Sequence, residues 1–185
     1  NDKLSLSVQK DMLPLVGNID GVYSVLSDNE VIDGDLFVVP STPAFVSGVH
    51  GEYLCSPRID NLTSVYASLN ALIASEGDGI QVACCFDNEE IGSLTKQGAN
   101  SALLENTLHF IMRSLGGTEE DFAAAVNDGY ILSVDNAHAV HPAHPEKSDP
   151  VEKVVMNGGI VIKHHTNYST DALSSAILKT ILDKA

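Results

Sequence analysis

The spacing of apolar residues changes near residue 60. Before it they come in short runs, Gly21 to Leu26, Leu36 to Val39 and Ala44 to Val49, divided by Asp28-Asn29, Asp33-Gly34 and Pro40-Ser41-Thr42-Pro43. Runs of that length between turn residues predict strands. Beyond it Leu62, Val65, Tyr66, Leu69, Leu72 and Ile73 recur at helical spacing, so a helix follows Ser56-Pro57-Arg58-Ile59-Asp60 and ends between Ser75 and Gly79. Ile80 to Phe86 is a continuous apolar run of strand length. A second helix is predicted from about Ala99 to Leu115, with Leu104, Leu108, Ile111 and Leu115 on one face and Gly116-Gly117 as its stop. Thr118 and Asp121 resemble a capping pair opening a shorter helix through Val126. Tyr130 to Val134 reads as a strand ending at Asp135. A loop rich in His and Pro spans Asn136 to Pro150, Gly159 to Lys163 gives another strand, and Thr170 to Lys184 a last helix with Leu173, Ile177 and Ile181 as its stripe. Strands alternating with helices from residue 60 onward predict a three-layer α/β domain, with a mostly parallel or mixed sheet between helices.

Composition bounds what such a chain can be. With 185 residues and 44% apolar content it can bury a real core, as one domain or one domain plus a piece of another. No stretch approaches the length of a membrane span and no charged-then-apolar leader opens the chain. It begins at Asn1 without an initiator Met and ends directly after a predicted helix, as a processed or trimmed piece would. The net charge of −15 argues against nucleic acid and anionic membrane as partners. Cys55, Cys84 and Cys85 make a poor disulfide framework and fit a reducing cytoplasm.

The candidate chemistry sits at the ends of these elements. Glu89-Glu90 follows the run Ile80 to Phe86, Asp135 follows Tyr130 to Val134, and Asp60 stands before the first long helix. All are positions from which side chains converge on the rim of an α/β sheet, where ligands bind. Each has a plainer reading: a solvated loop for Glu89-Glu90, a helix N-cap for Asp60, a turn shared with Asn136 for Asp135. Together they point to a cation, because gathered carboxylates repel and a divalent metal is the common reason to collect them. His138, His141 and His144 follow in the next loop, as metal ligands or as ordinary loop residues. Zinc prefers nitrogen or sulfur beside oxygen, so a zinc site here calls for a histidine from this loop or from outside the chain.

Four ordered motifs carry a resemblance: Ser56-Pro57-Arg58-Ile59-Asp60-Asn61; Phe86-Asp87-Asn88-Glu89-Glu90-Ile91-Gly92-Ser93 with Gly98-Ala99-Asn100-Ser101; Ser133-Val134-Asp135-Asn136-Ala137-His138-Ala139-Val140-His141-Pro142; and Gly159-Ile160-Val161-Ile162-Lys163. By them the chain resembles the aspartyl aminopeptidase family of dinuclear zinc metallopeptidases, most strongly from Ser56 to Tyr168. The resemblance implies removal of an N-terminal Asp or Glu from peptides. It implies that Asp60 bridges two metals, that Glu89 is the general base, and that Glu90 and Asp135 are terminal metal ligands. His138 then lies against the reacting carbonyl, and Lys163 meets the substrate's acidic side chain. Two divalent metals are implied, zinc first and manganese or cobalt as alternatives, together with a symmetric homo-oligomer. Residues 1–50 correspond to the closing part of the family's β-rich lid and assembly domain, and residues 51–185 to the central part of its catalytic domain.

The family's site also uses a histidine from an early His-x-Asp segment and another near the C-terminus. This stretch supplies neither, so it is expected to hold half a metal site and to be inactive alone. The segment His164-His165-Thr166-Asn167-Tyr168 is also shorter than the family pattern before its tyrosine. Two other readings stand beside the enzyme: a catalytically inactive truncated paralogue acting as an assembly or binding module, and a dinuclear aminopeptidase of different side-chain preference.

Overall fold

The computed structural model describes residues 4–18, 21–168 and 170–184, which fall into two units, Asn1–Pro57 and Arg58–Ala185. In the first unit, α1 (Val8–Asp11) is a single turn whose preceding Ser7 N–H donates to the Asp11 carboxylate at 2.7 Å. The run Gly21 to Leu26, predicted as a strand, instead forms the short helix α2 (Tyr23–Leu26). An apolar run this short has no period of its own, so one helical turn and one strand look alike in sequence. The Tyr23 hydroxyl donates to the Gly34 carbonyl at 2.9 Å and folds the following segment back. No strand forms over Leu36 to Val39. Within Ala44 to Val49 lies β1 (Phe45–Ser47), which pairs antiparallel with β2 (Tyr53–Cys55) in the register Phe45 with Cys55 and Ser47 with Tyr53. Gly48 has φ 91° in the connecting loop, and a Cβ there would overlap the Glu52 carboxylate, so this turn selects glycine.

The second unit is mainly helical: α3 (Ile59–Ala74), α4 (Leu103–Ser114), α5 (Glu119–Asp128), a 3₁₀ turn (Pro145–Lys147) and α6 (Ala172–Leu182). The predicted stop and cap between α4 and α5 are both present. Gly116 takes φ 82° and donates to the Arg113 carbonyl, while the Gly117 N–H reaches back to the Met112 carbonyl, both at 3.0 Å. That is the Schellman pattern, which satisfies the last carbonyls of α4. Thr118 Oγ1 accepts from the Asp121 N–H at 3.1 Å, and the Asp121 carboxylate accepts from the Thr118 N–H at 2.8 Å, so a full capping box opens α5. Asp171 and Ser174 form a second capping box at α6. The start of α4 is four residues later than predicted; before it, the N–H groups of Ala99 and Asn100 are donated to the carbonyls of Asn88 and Ser93.

The described residues thus combine helices with one small antiparallel sheet. The runs Ile80 to Phe86, Tyr130 to Val134 and Gly159 to Lys163 form no strand ladder with one another. Apolar content makes a segment suitable for a strand, but a strand exists only where a second backbone answers its N–H and C=O groups. Here one of those groups is taken by a side chain, the Val134 carbonyl accepting from Asn61 Nδ2, and just beyond the run the Asn136 carbonyl accepts from Lys163 Nζ. Burial agrees. Among the described residues no apolar side chain is buried; only Ser64 and Ser175 are. Ile131 and Ile160, in the middle of two predicted strands, are 82% and 75% exposed. Each such side chain forgoes about 1.5–3 kcal/mol of burial energy, so these faces are built to be covered. No helix among the described residues is long and apolar enough to cross a membrane.

Candidate metal centre

Asp60 enters the site through a break in helical geometry. Arg58 is left-handed (φ 61°), Asp60 and Asn61 lie outside the helical region (φ −85°, ψ 104° and φ −123°, ψ 27°), and the peptide between those two is cis. No side-chain hydrogen bond caps this end of α3, so Asp60 is not its N-cap. Its carboxyl instead lies beside that of Asp135, close enough for each to shift the proton affinity of the other. Asp135 accepts from the following Asn136 N–H at 2.8 Å, the turn expected for an Asp-Asn pair. Glu89 and Glu90 open a closed loop. Asn88 bridges to Gly98, the Ser93 hydroxyl donates to the Glu89 carbonyl, and Asn88 Nδ2 donates to Thr95 Oγ1 at 2.8 Å. Gly98 is obligatory there, since a Cβ would collide with the Ser93 carbonyl oxygen.

The electrostatics follow from this gathering. The hydrogen bond with Asp135 pushes the Asp60 carboxyl above the usual range, helped by partial desolvation and by the Asp135 and Glu90 charges, with Lys163 opposing. Glu89 is pushed up first by desolvation, then by Glu90, Asp135 and Asp60. Desolvation alone would raise Asp135 too, but hydrogen bonds from Lys163 and Asp60 hold it below the ordinary value. Lys163 Nζ lies 3.2 Å from Asp135 Oδ2 and donates to the Asn136 carbonyl at 2.8 Å. Four carboxylates and one ammonium, drawn from separate stretches of sequence, therefore feel one another directly.

Comparison with known proteins now adds the context. The sequence model described as Aminopeptidase I zinc metalloprotease (M18) matches residues 2–185. The chain belongs to the M18 family. It is 37% identical over 201 aligned residues to a protein of Clostridium novyi (strain NT) named Probable M18 family aminopeptidase 2, covering 100% of this chain and 46% of that protein. A protein of the same name from Clostridium acetobutylicum is 36% identical, over 98% of this chain and 46% of its own length. One from Mycobacterium leprae is 36% identical over 84% of this chain and 37% of its own length. The M18 chain described here thus spans about half the length of the curated relatives it matches. Family membership includes the aspartyl aminopeptidases, in keeping with the resemblance carried by the motifs.

The M18 description names zinc, and the donor set answers part of that requirement. Two carboxylates close enough to share a hydrogen bond need a proton or a cation between them, and oxygen donors of this kind suit a divalent ion. Among the described residues, however, no group of three or more His, Cys, Asp or Glu side chains converges as a metal-holding set. Several histidines of this half of the chain are engaged with other groups. His138 has no hydrogen bond or ion pair among the described residues. The His141 and His144 rings lie 5.5 Å apart, and His144 Nδ1 is 3.2 Å from Glu146 Oε1. His164 Nε2 is 3.3 Å from the Ser175 hydroxyl, and His165 packs on Tyr168. The oxygen half of a site fits a metal here, and nitrogen donors must come to it from other segments. Three residues that spacing did not single out also belong to the site: Asn61, Thr63 and Asn136, whose side chains bond across it. The signal available was an Asp-Asn pair after a β-branched residue, at Ile59-Asp60-Asn61 and Val134-Asp135-Asn136.

Proposed function

We propose that this chain is the central part of a cytoplasmic, zinc-dependent aminopeptidase that removes N-terminal Asp or Glu from peptides. The observation that carries the reading is that crossed hydrogen bonds, Asn61 to the Val134 carbonyl and Asn136 to the Ile59 carbonyl, bring Asp60 and Asp135 together with the Glu89 and Glu90 charges in reach, in a chain of a family described as zinc metalloproteases. In this reading Asp60, Glu90 and Asp135 would hold the two divalent ions, zinc or in its place manganese or cobalt. When bound, such ions lower the pKa of a shared water and polarise the scissile carbonyl. Glu89 takes the proton of the attacking water and returns it to the leaving amine, a task for which its raised proton affinity is suited. His138 lies against the reacting carbonyl. Lys163 receives the substrate's acidic side chain: an ammonium has three donors, and Asp135 and Asn136 use two of them. Residues 51–185 form the centre of a three-layer catalytic domain and residues 1–50 the end of a lid and assembly domain of a homo-oligomer. The uncovered apolar faces of α3 and α6 support a larger domain around them.

The test is release of free amino acids from synthetic peptides by the polypeptide of the whole reading frame, supplied with zinc. Asp- and Glu-initiated peptides should be trimmed, N-acetylated ones spared, and Glu89→Gln should lower turnover about 10²–10⁴-fold with zinc content unchanged. A zinc-loaded protein that trims none of these peptides would sink the proposal. The ion pair between Lys163 and Asp135 favours a second reading, an assembly or binding module without chemistry, since it already neutralises one carboxylate. That reading requires that no zinc be retained through dialysis.

A further inference from the structure

Asp60 and Asp135 stand in the same local setting, each with a β-branched residue before it (Ile59, Val134) and an asparagine after it (Asn61, Asn136). The two asparagines bond crosswise. Asn61 Nδ2 donates to the Val134 carbonyl at 3.0 Å, and Asn136 Nδ2 donates to the Ile59 carbonyl at 2.9 Å. Each amide therefore grips the residue just ahead of the other aspartate, across 73 and 77 residues of sequence. Thr63 lies within 3.0 Å of both the Asn136 Oδ1 and the Ile59 carbonyl, so its hydroxyl can answer the amide oxygen and fix the amide's direction. Asn61 Oδ1, in contrast, is buried and has no partner among the described residues. Reversing that amide would set oxygen against the Val134 carbonyl oxygen, so the donor stays on Val134 even at the cost of an unsatisfied acceptor.

We propose that Asn61 and Asn136, with Asn136 oriented by Thr63, are positioning residues that clamp the Asp60 and Asp135 backbones so that their carboxyls stay at hydrogen-bonding separation. Repulsion between the carboxylates would otherwise part them, since neither flanking segment belongs to a sheet. A pair already held together gives up less freedom when a cation arrives, so the clamp raises metal affinity. This consequence rests on the metal-site reading above, whereas the crossed hydrogen bonds do not.

Two measurements on the polypeptide of the whole reading frame test it. The first follows the side-chain amide protons of Asn61 and Asn136 by ¹⁵N-resolved hydrogen exchange. One proton of each should exchange slowly, Asn61→Ala should speed exchange at Asn136, and Asn136→Ala should speed it at Asn61. Thr63→Val should loosen Asn136 and Thr63→Ser should restore it, which provides a milder series should an alanine variant fail to fold. The second titrates zinc against a chromophoric chelator. Each alanine variant should weaken binding about tenfold or more, and the double variant little more than the worse single one, because the clamp acts as a unit. Fast exchange at both amides of the parent chain overturns the clamp, as does exchange at one asparagine that ignores loss of the other. Reciprocal protection in a chain that takes up no zinc supports the clamp and overturns the metal reading instead.

Discussion

The rim around Asp60 and Asp135 and the hairpin of α4 and α5 belong to the same unit and are held by opposite means. The hairpin is local: Arg113 pairs with Glu119 six residues on, Thr118 with Asp121 three residues on, and Gly117 closes back on Met112. Its one arginine is paired with an opposite charge, and His109 stacks on Phe122 at 3.7 Å. Glu119 and Asp121 accordingly sit below their ordinary pKa values, the first through the Arg113 hydrogen bond and the second through the Thr118 N–H. The rim gathers like charges over long sequence separations, and Asp60 and Glu89 are pushed the other way. A structure made of neighbours lowers its energy as it forms. One that collects four carboxylates does so against repulsion, and needs side-chain grips, an ammonium or a metal to persist.

Substitution at Lys163 should break the rim most severely while leaving the hairpin alone. In the full-length polypeptide, Lys163→Ala is expected to cut turnover of Asp-initiated peptides about 30-fold or more relative to Ala-initiated ones, the scale on which a close charge pair is lost. An equal fall for both peptides would instead make Lys163 a partner of Asp135 alone. Next in size is Gly98→Ala. The added Cβ would meet backbone, the Ser93 carbonyl oxygen, so the loop carrying Glu89 and Glu90 must shift, at roughly 1–3 kcal/mol. Urea unfolding should register that loss, and amide shifts of Glu89 and Glu90 should move while those of α5 do not.

The same contrast explains what could be read from the sequence. The stop at Gly116-Gly117 and the Thr118-Asp121 cap were legible because their determinants are adjacent residues with one dominant geometry. The helical stripes of α3, α4 and α6 were legible because period is a property of the segment itself. Strands were legible only in part: β1 lies within the predicted run Ala44 to Val49, but β2 has only Tyr53, Leu54 and Cys55 to announce it, and the three longer apolar runs carry no trace of which backbone, if any, answers them. At the site, Asp60, Glu89, Glu90 and Asp135 stood out by residue type at element ends, and Lys163 by the family motif; Lys163 lies 3.2 Å from Asp135, and the carboxylates act on one another's proton affinity. The asparagine clamp went unread, since a hydrogen bond between residues 73 apart leaves no periodic mark.

Within the hairpin the effects should be smaller and purely structural. Gly116 has φ 82°, and no atom lies within 4 Å of where a Cβ would stand, so Gly116→Ala meets no clash and costs only the left-handed backbone, roughly 1–2 kcal/mol. Amide exchange in the last turn of α4, at Arg113 and Ser114, should accelerate, with zinc binding unaffected. A change in zinc affinity would show that the hairpin and the rim are mechanically coupled and would dissolve the distinction between them.

The finest test of the comparison is pH. Asp121 is held below its ordinary value of 3.8, first by the Thr118 N–H and then by the Thr118 hydroxyl. For a carboxyl with a depressed folded-state pKa, the unfolded chain binds more protons as pH falls, so the stabilisation is fully present above about 3.8 and is lost as pH drops through the lower folded value. The N-terminal turn of α5, followed by ¹³C shifts of Glu119 to Phe122, should therefore stay helical down to and below the point where an isolated aspartate titrates, and then fray. Asp121→Asn, which keeps an acceptor oxygen but removes the charge, should flatten that acid transition while α5 remains formed at neutral pH. Asp60 sits on the opposite side of its ordinary value, so a hairpin that titrated together with the rim would contradict the opposite signs on which the comparison stands.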